Sequence, residues 1–192
     1  MHVLAIHGSP RENGNTARQL RHVLGELEAA GVTTETIRLS GRIQRGCTAC
    51  GQCGVRKDRR CVIDGDVVNE CVEKMVRADG ILIGSPVYFA DVTAETKALI
   101  DRAGYVGLAN GGLFARKIGA AVAVHRRGGA VNVVDSINHV FLMSRMIVPG
   151  STYWNFGVGR EREEVATDEE AVQNMHDLGE TIAWLVKSLA RS

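Results

Sequence analysis

Short apolar runs alternate along this chain with longer stretches of helical period. The run Val3-Leu4-Ala5-Ile6 predicts a buried first strand. Leu20, Leu24 and Leu27 give a helix over 16–30 one apolar face, and Gly31 is placed to end it. A second strand is expected over 34–39. Beyond a loop over about 40–64, the pairs Val67/Val68, Cys71/Val72 and Met75/Val76 recur every four residues and predict a helix over 66–78. Gly80-Ile81-Leu82-Ile83-Gly84 reads as a third strand, followed by a loop and a helix over 93–102. A fourth strand is expected over 118–124, a helix over 131–145, and a short fifth strand over 146–148. A capping box, Thr167 with Glu170, opens the last helix, whose stripe runs through Val172, Met175, Leu178, Ile182, Leu185 and Leu189. Five strands alternating with five helices predict an α/β fold, a doubly wound five-stranded parallel sheet in three α/β/α layers. One domain over 1–192 would carry the 40–64 segment as an elaborated loop. Ligands of such sheets sit beyond the carboxyl ends of the strands, which directs attention to the loops after strands one, three and four.

Composition narrows the function class. With 23 Lys+Arg against 22 Asp+Glu, the net charge of +1 gives no reason to expect a nucleic-acid or membrane-surface partner. A hydrophobic share of 45% with only 3 prolines speaks for a packed core. The first seven residues are too short an apolar run, without a basic flank, to be a signal peptide, and no stretch approaches the ~20 apolar residues of a membrane span. A cytoplasmic location is expected, where thiols stay reduced and grouped cysteines favour metal or redox chemistry.

The loop after strand one, Gly8-Ser9-Pro10-Arg11-Glu12-Asn13-Gly14-Asn15-Thr16, opens directly into a helix. Hydroxyls, amides and backbone N–H groups at a helix N-terminus can cradle a phosphate, and Arg11 adds a fixed charge. No G-x-x-x-x-G-K-[ST] is present, and no G-x-G-x-x-G follows the first strand; Gly157-Val158-Gly159 lacks the third glycine. After strand three comes Gly84-Ser85-Pro86-Val87-Tyr88-Phe89, which places two of the chain's few aromatic residues beside the expected crevice. His125-Arg126-Arg127-Gly128-Gly129 follows strand four.

These two loops, with Gly14-Asn15-Thr16, resemble the NADPH-dependent FMN reductase family of flavodoxin-like proteins over about residues 1–189. The resemblance implies FMN, with Ser9, Arg11, Asn13, Gly14, Asn15 and Thr16 at its phosphate. It also implies Ser85, Pro86, Val87, Tyr88 and Phe89 along its ring. His125, Gly128 and Gly129 would approach the pyrimidine side, a weaker assignment because a basic solvated turn is equally compatible with that loop. NAD(P)H is the implied electron donor.

Cys47, Cys50, Cys53 and Cys61 form a C-x2-C-x2-C-x7-C pattern, with small residues between that let the backbone aim N–H groups at sulfur. Structural zinc more often uses two well-separated knuckles. Arg42, Arg45, Arg56, Lys57, Arg59 and Arg60 surround the segment against Asp58 and Asp64, an arrangement expected to offset four thiolates. The spacing resembles the iron-sulfur flavoprotein branch of the same family, which implies a 4Fe-4S cluster on these four residues; zinc and free thiols are the alternatives. Cys71 falls on an apolar stripe and is expected to be core. The histidines form no Ser/His/Asp or Cys/His constellation, and His139 and His176 show no partner pattern. The reading is an FMN oxidoreductase carrying electrons from NAD(P)H to the cluster, a quinone, another small acceptor or an electron-transfer protein. A flavodoxin-type carrier and a zinc or thiol sensor are the competing readings. A homodimer or homotetramer is implied by the family, with Tyr153, Trp154 and Phe156 as candidate contact residues.

Overall fold

The computed structural model describes residues 1–189. Five parallel strands, β1 (His2–His7), β2 (Thr33–Arg38), β3 (Gly80–Pro86), β4 (Ile118–His125) and β5 (Phe156–Val158), lie in the order β2-β1-β3-β4-β5. That order, with helices on both faces, is the doubly wound flavodoxin-like architecture. Alternation along β1 sends Val3 and Ala5 to one face and Leu4 and Ile6 to the other. Val3 and Ala5 pack with Leu82, Ala120 and Val122 beneath α1 (Asn15–Ala29) and α6 (Glu169–Leu189). Leu4 and Ile6 pack with Ile81, Ile83 and Ala121 beneath α3 (Val68–Arg77), α4 (Ala94–Ala109) and α5 (Ala130–Met143). A short helix, α2 (Gln52–Arg56), lies inside the cysteine loop.

The fifth strand is not where periodicity put it. Residues 146–148 contribute one bridge, Ile147 opposite Ile118, and the chain then leaves the sheet. Pro149 has no N–H to offer the β4 edge, so the ladder cannot continue through it. The chain returns at Phe156, which pairs with Ala123, while Gly157 pairs with Val124 and Val158 with His125. Gly157 is required there: a Cβ would stand 2.5 Å from Val165 Cγ2 and 2.9 Å from Gln19 Nε2.

Two helix termini also differ. Thr167 belongs to a 3-10 turn (Glu164–Thr167), and the capping carboxylate of α6 is Asp168. Its Oδ1 accepts the Ala171 N–H at 3.1 Å and its Oδ2 the Val158 N–H at 2.8 Å, so one side chain caps the helix and anchors β5. α4 runs past Arg102 to Ala109. Among the described residues no helix is long and apolar enough to cross a membrane.

Candidate functional site

The segments that follow β1, β3, β4 and β5 enclose a cleft of about 240 Å3, lined by Ser9, Arg11, Asn15, Thr16, Pro86, Val87, Tyr88, Val124, His125, Arg126, Gly159 and Arg160. Its polar end is the turn into α1, whose first helical turn carries no carboxylate to compete for an anion. Its other end is apolar and aromatic. A larger groove, about 360 Å3, runs between α4 and α5, and no residue of the strand-end loops lines it. The turn into the α1 N-terminus, not volume, makes the first cleft the candidate site.

Several residues singled out from sequence do different work from a direct ligand contact. The Ser85 hydroxyl is fully buried, accepting the Thr93 N–H at 3.1 Å and donating to the Pro86 carbonyl at 3.0 Å. Asn15 lines the cleft, yet its Nδ2 donates to the Glu161 carbonyl at 2.8 Å and holds the segment after β5 in place. Arg11 Nη1 reaches the Arg160 carbonyl at 3.3 Å. Asn13 and Gly14 line a separate polar cleft with Arg11, Glu12, Glu161 and Arg162. Phe89 is fully exposed at φ 47° rather than folded over the cleft. Gly128 and Gly129 stand outside its lining. Gly129, at φ 86°, starts α5, and a Cβ there would come within 2.9 Å of Val87 Cγ1 and 3.0 Å of Ala90 Cα. It lets the loops after β3 and β4 pack against each other.

Two histidines stand at strand ends. His125 lines the cleft with both ring nitrogens buried and unpartnered, its ring edge-on to Phe156 at 5.3 Å. Burial lowers its pKa, so the ring is held neutral. His7, 2% exposed at the end of β1, is pushed down to about 4 by burial and then by the charges of Arg38 and Arg21. Away from the cleft, His176 does have a partner: Nδ1 lies 2.6 Å from Glu26 Oε1, and its ring meets His22 at 5.2 Å. Tyr153 and Trp154 are exposed, while Phe156 packs on the core.

All four predicted cysteines line one small cavity of about 20 Å3, with Arg102, Tyr105 and Val106 of α4 as its floor. Cys47 and Cys50 are exposed, Cys53 is buried and Cys61 half-buried. N–H groups point at sulfur: that of Ala49 meets Cys47 Sγ at 3.4 Å, and that of Gln52 lowers the pKa of the Cys50 thiol. Burial pushes Cys53 up. Among the described residues no three His, Cys, Asp or Glu side chains converge as ligands of one metal ion. In donor chemistry, and in facing one cavity, the four thiols fit an inorganic core; the ligand geometry itself is not assembled. Cys71 is fully buried in the core, its pKa pushed to about 12 by burial.

Three of the arginines around this loop are matched by carboxylates. Arg42 pairs with Glu70 at 2.9 Å, Arg56 with Asp58 at 2.6 Å and Arg60 with Asp64 at 3.5 Å. Sequence reasoning missed the residues that hold the loop. Asn69 of α3 clamps the Cys61 backbone both ways: its Oδ1 accepts the N–H at 2.8 Å and its Nδ2 donates to the carbonyl at 3.0 Å. Asn110, after α4, donates to the Cys53 carbonyl at 3.3 Å. Arg102 contacts Cys61 itself. The available signal was a charged residue at a core position of the α4 pattern, beside Leu99, Ala103 and Val106.

Comparison with known proteins agrees with this geometry. The profile of the NADPH-dependent FMN reductase family matches residues 1–161. An iron-sulfur flavoprotein of Methanocaldococcus jannaschii is 35% identical over 100% of both chains. Two solved structures share the fold. RosB with a bound 8-demethyl-8-formylriboflavin 5′-phosphate has TM-score 0.76 at 16% identity, covering 100% of this chain and 81% of its own. An archaeal flavodoxin has TM-score 0.62 at 16% identity, covering 97% and 99%. A parallel sheet whose switch-point cleft joins an anion-binding turn to an aromatic wall is thus accounted for: the chain belongs to the NADPH-dependent FMN reductase family and is a flavin oxidoreductase.

Proposed function

We propose that the chain is an FMN-dependent oxidoreductase that takes electrons from NAD(P)H and also carries a 4Fe-4S cluster on Cys47, Cys50, Cys53 and Cys61. One observation carries the flavin reading: a single cleft joins the α1 N-terminus and Arg11 at one end to Pro86, Val87 and Tyr88 at the other. Bound FMN supplies a heterocycle that accepts two electrons together and releases them singly. The chain supplies position and electrostatics. Ser9, Thr16 and the first N–H groups of α1 receive the phosphate, Arg11 and Arg160 neutralise it, and Asn15 keeps the 159–161 segment over that end. Pro86 and Val87 hold a stiff wall beside the ring, and Tyr88 covers it. His125 lines the cleft as a neutral ring whose two buried nitrogens have no hydrogen-bond partner in the protein. Arg126 and Arg127 lie where a nicotinamide cofactor's phosphates would approach.

Support for the cluster comes from the four thiols facing one cavity, from N–H groups aimed at sulfur, and from the iron-sulfur flavoprotein relative. The cavity is about the size of one water, so uptake requires the sulfurs to spread. Cys47 and Cys50, on the exposed arm, are free to do so. Cys53 and Cys61 are held by Asn110 and Asn69.

Anaerobic purification, a visible spectrum, iron and sulfide analysis and an NADPH and NADH oxidation assay test the reading together. Flavin bands, iron and sulfide in cluster stoichiometry and steady nicotinamide oxidation are expected. Failure to take up added FMN refutes the flavin site. Flavin without iron removes the cluster, and stoichiometric zinc replaces it. Reduction by a ferredoxin-like donor alone leaves an electron carrier.

A further inference from the structure

Arg102 is the most completely buried charged side chain among the described residues, at 1% exposure in the middle of α4. All of its guanidinium N–H groups are engaged. Nη1 donates to Asp66 Oδ2 at 2.5 Å and to the Arg45 carbonyl at 3.2 Å. Nη2 donates to Asp66 Oδ1 at 3.1 Å and to the Ile63 carbonyl at 2.7 Å. The remaining donor, Nε, meets Cys61 Sγ at 3.4 Å. A guanidinium has five N–H bonds in a rigid fork, and each has an acceptor here.

The acceptors define the role. Arg45 stands just before Cys47 and Ile63 just after Cys61, so one planar group ties both ends of the cysteine loop to α4. The Asp66 carboxylate balances the buried charge. A buried ion pair of this kind is a poor source of net stability, since an apolar pair of similar volume commonly serves as well. What an apolar pair could not supply is the closure of the loop base and the N–H at sulfur.

We infer that Arg102 is the positioning residue of the cysteine site: it closes the base of the loop that carries Cys47, Cys50, Cys53 and Cys61, and its Nε–H tunes the Cys61 sulfur. The second part rests on the cluster reading above. Hydrogen bonds to ligating sulfur stabilise the more negative, reduced form of a cluster and so raise its potential. The first part holds with or without metal.

The test compares wild type with Arg102→Lys, which keeps a charge and loses the fork, and with the double variant Arg102→Met/Asp66→Leu, which keeps an apolar filling of the pair. Circular dichroism and a cooperative thermal transition establish folding. Limited trypsin digestion then reads the loop at Arg56, Lys57, Arg59 and Arg60, and dithionite titration reads the cluster midpoint potential. Several-fold faster cleavage confined to the loop and a midpoint moved to more negative values, in whichever variants fold, are expected. Folded variants with wild-type cleavage overturn the loop-closing role. Faster cleavage with an unmoved midpoint overturns the role at sulfur. If wild type contains no iron or sulfide after reconstitution, the cluster reading fails by itself, the sulfur-tuning part falls with it, and the trypsin comparison still decides the loop-closing part.

Discussion

Replacing Thr93 with valine keeps the shape of a fully buried side chain and removes its hydroxyl. That hydroxyl donates to the Gly8 carbonyl at 2.8 Å, lies 2.8 Å from the Thr96 hydroxyl and accepts the Thr96 N–H at 3.3 Å as the α4 N-cap. The Thr93 backbone N–H is held by Ser85 Oγ. One residue therefore joins the loop after β1 to the loop after β3, two walls of the strand-end cleft. Losing the cap costs about 1 kcal/mol, and leaving the Gly8 carbonyl buried without a partner costs about 1–3 kcal/mol. Thr93→Val should thus destabilise the flavin-free protein by about 2–4 kcal/mol, read as a lower urea midpoint with an unchanged slope. FMN affinity should fall as well, because Ser9 follows Gly8 directly. Thr93→Ser, which restores the hydroxyl, should recover most of both. A change below about 0.5 kcal/mol, the range of ordinary surface substitutions, would show that the two loops hold their places without this link.

Arg11→Ala should weaken FMN about 10–100-fold, the worth of one charge-assisted hydrogen bond, while riboflavin binding stays as it was; equal losses for both ligands would remove Arg11 from the phosphate. Acid should expose His7. Its folded pKa of about 4 lies below the unfolded 6.5, so the unfolded chain binds the extra proton, and stability present above pH 6.5 is lost as pH falls toward 4. That loss is on the order of 3 kcal/mol, from a shift of 6.5 to about 4. Urea midpoints of the flavin-free protein at pH 7 and 4.5 should therefore differ more in wild type than in His7→Leu, and an equal difference in the two would refute the assignment. Cys71→Ala should keep the iron and sulfide content of wild type, whereas alanine at Cys47, Cys50, Cys53 or Cys61 should lower it; iron lost from the Cys71 variant alone would reverse that division.

Strands β1, β3 and β4 were legible because they are buried on both faces while the helices carry apolar stripes, so period and length distinguish them. β5 was not. Its pairing residues are Phe156, Gly157 and Val158, too short a run to show a period and centred on a glycine that reads as a turn. Topology pointed to the strand-end loops, and a cleft lies between them, but the division of labour among its polar residues was not visible in the sequence. A serine, an asparagine and a threonine beside a phosphate loop look alike in sequence whether they meet a ligand or satisfy the backbone. Here Ser85 and Asn15 satisfy backbone groups, because a buried loop has donors and acceptors of its own to match.

Helix α4 shows why this matters for both sites. Its N-cap, Thr93, ties the loops after β1 and β3; Arg102 ties the cysteine loop; Asn110, at its far end, holds the Cys53 carbonyl. At about 1.5 Å rise per residue, these three anchors are spread over about 25 Å of one rigid element. Arg102 is charged at a core position of the helix, which was expected to stop there and instead runs seven residues further, to Ala109. Burying Arg102 gives up part of the core's apolar burial, and together with the two capping side chains it fixes two loops that have little core of their own. Neither loop can be repositioned without disturbing α4, so the spacing between the strand-end cleft and the cysteine cavity is tied to that helix.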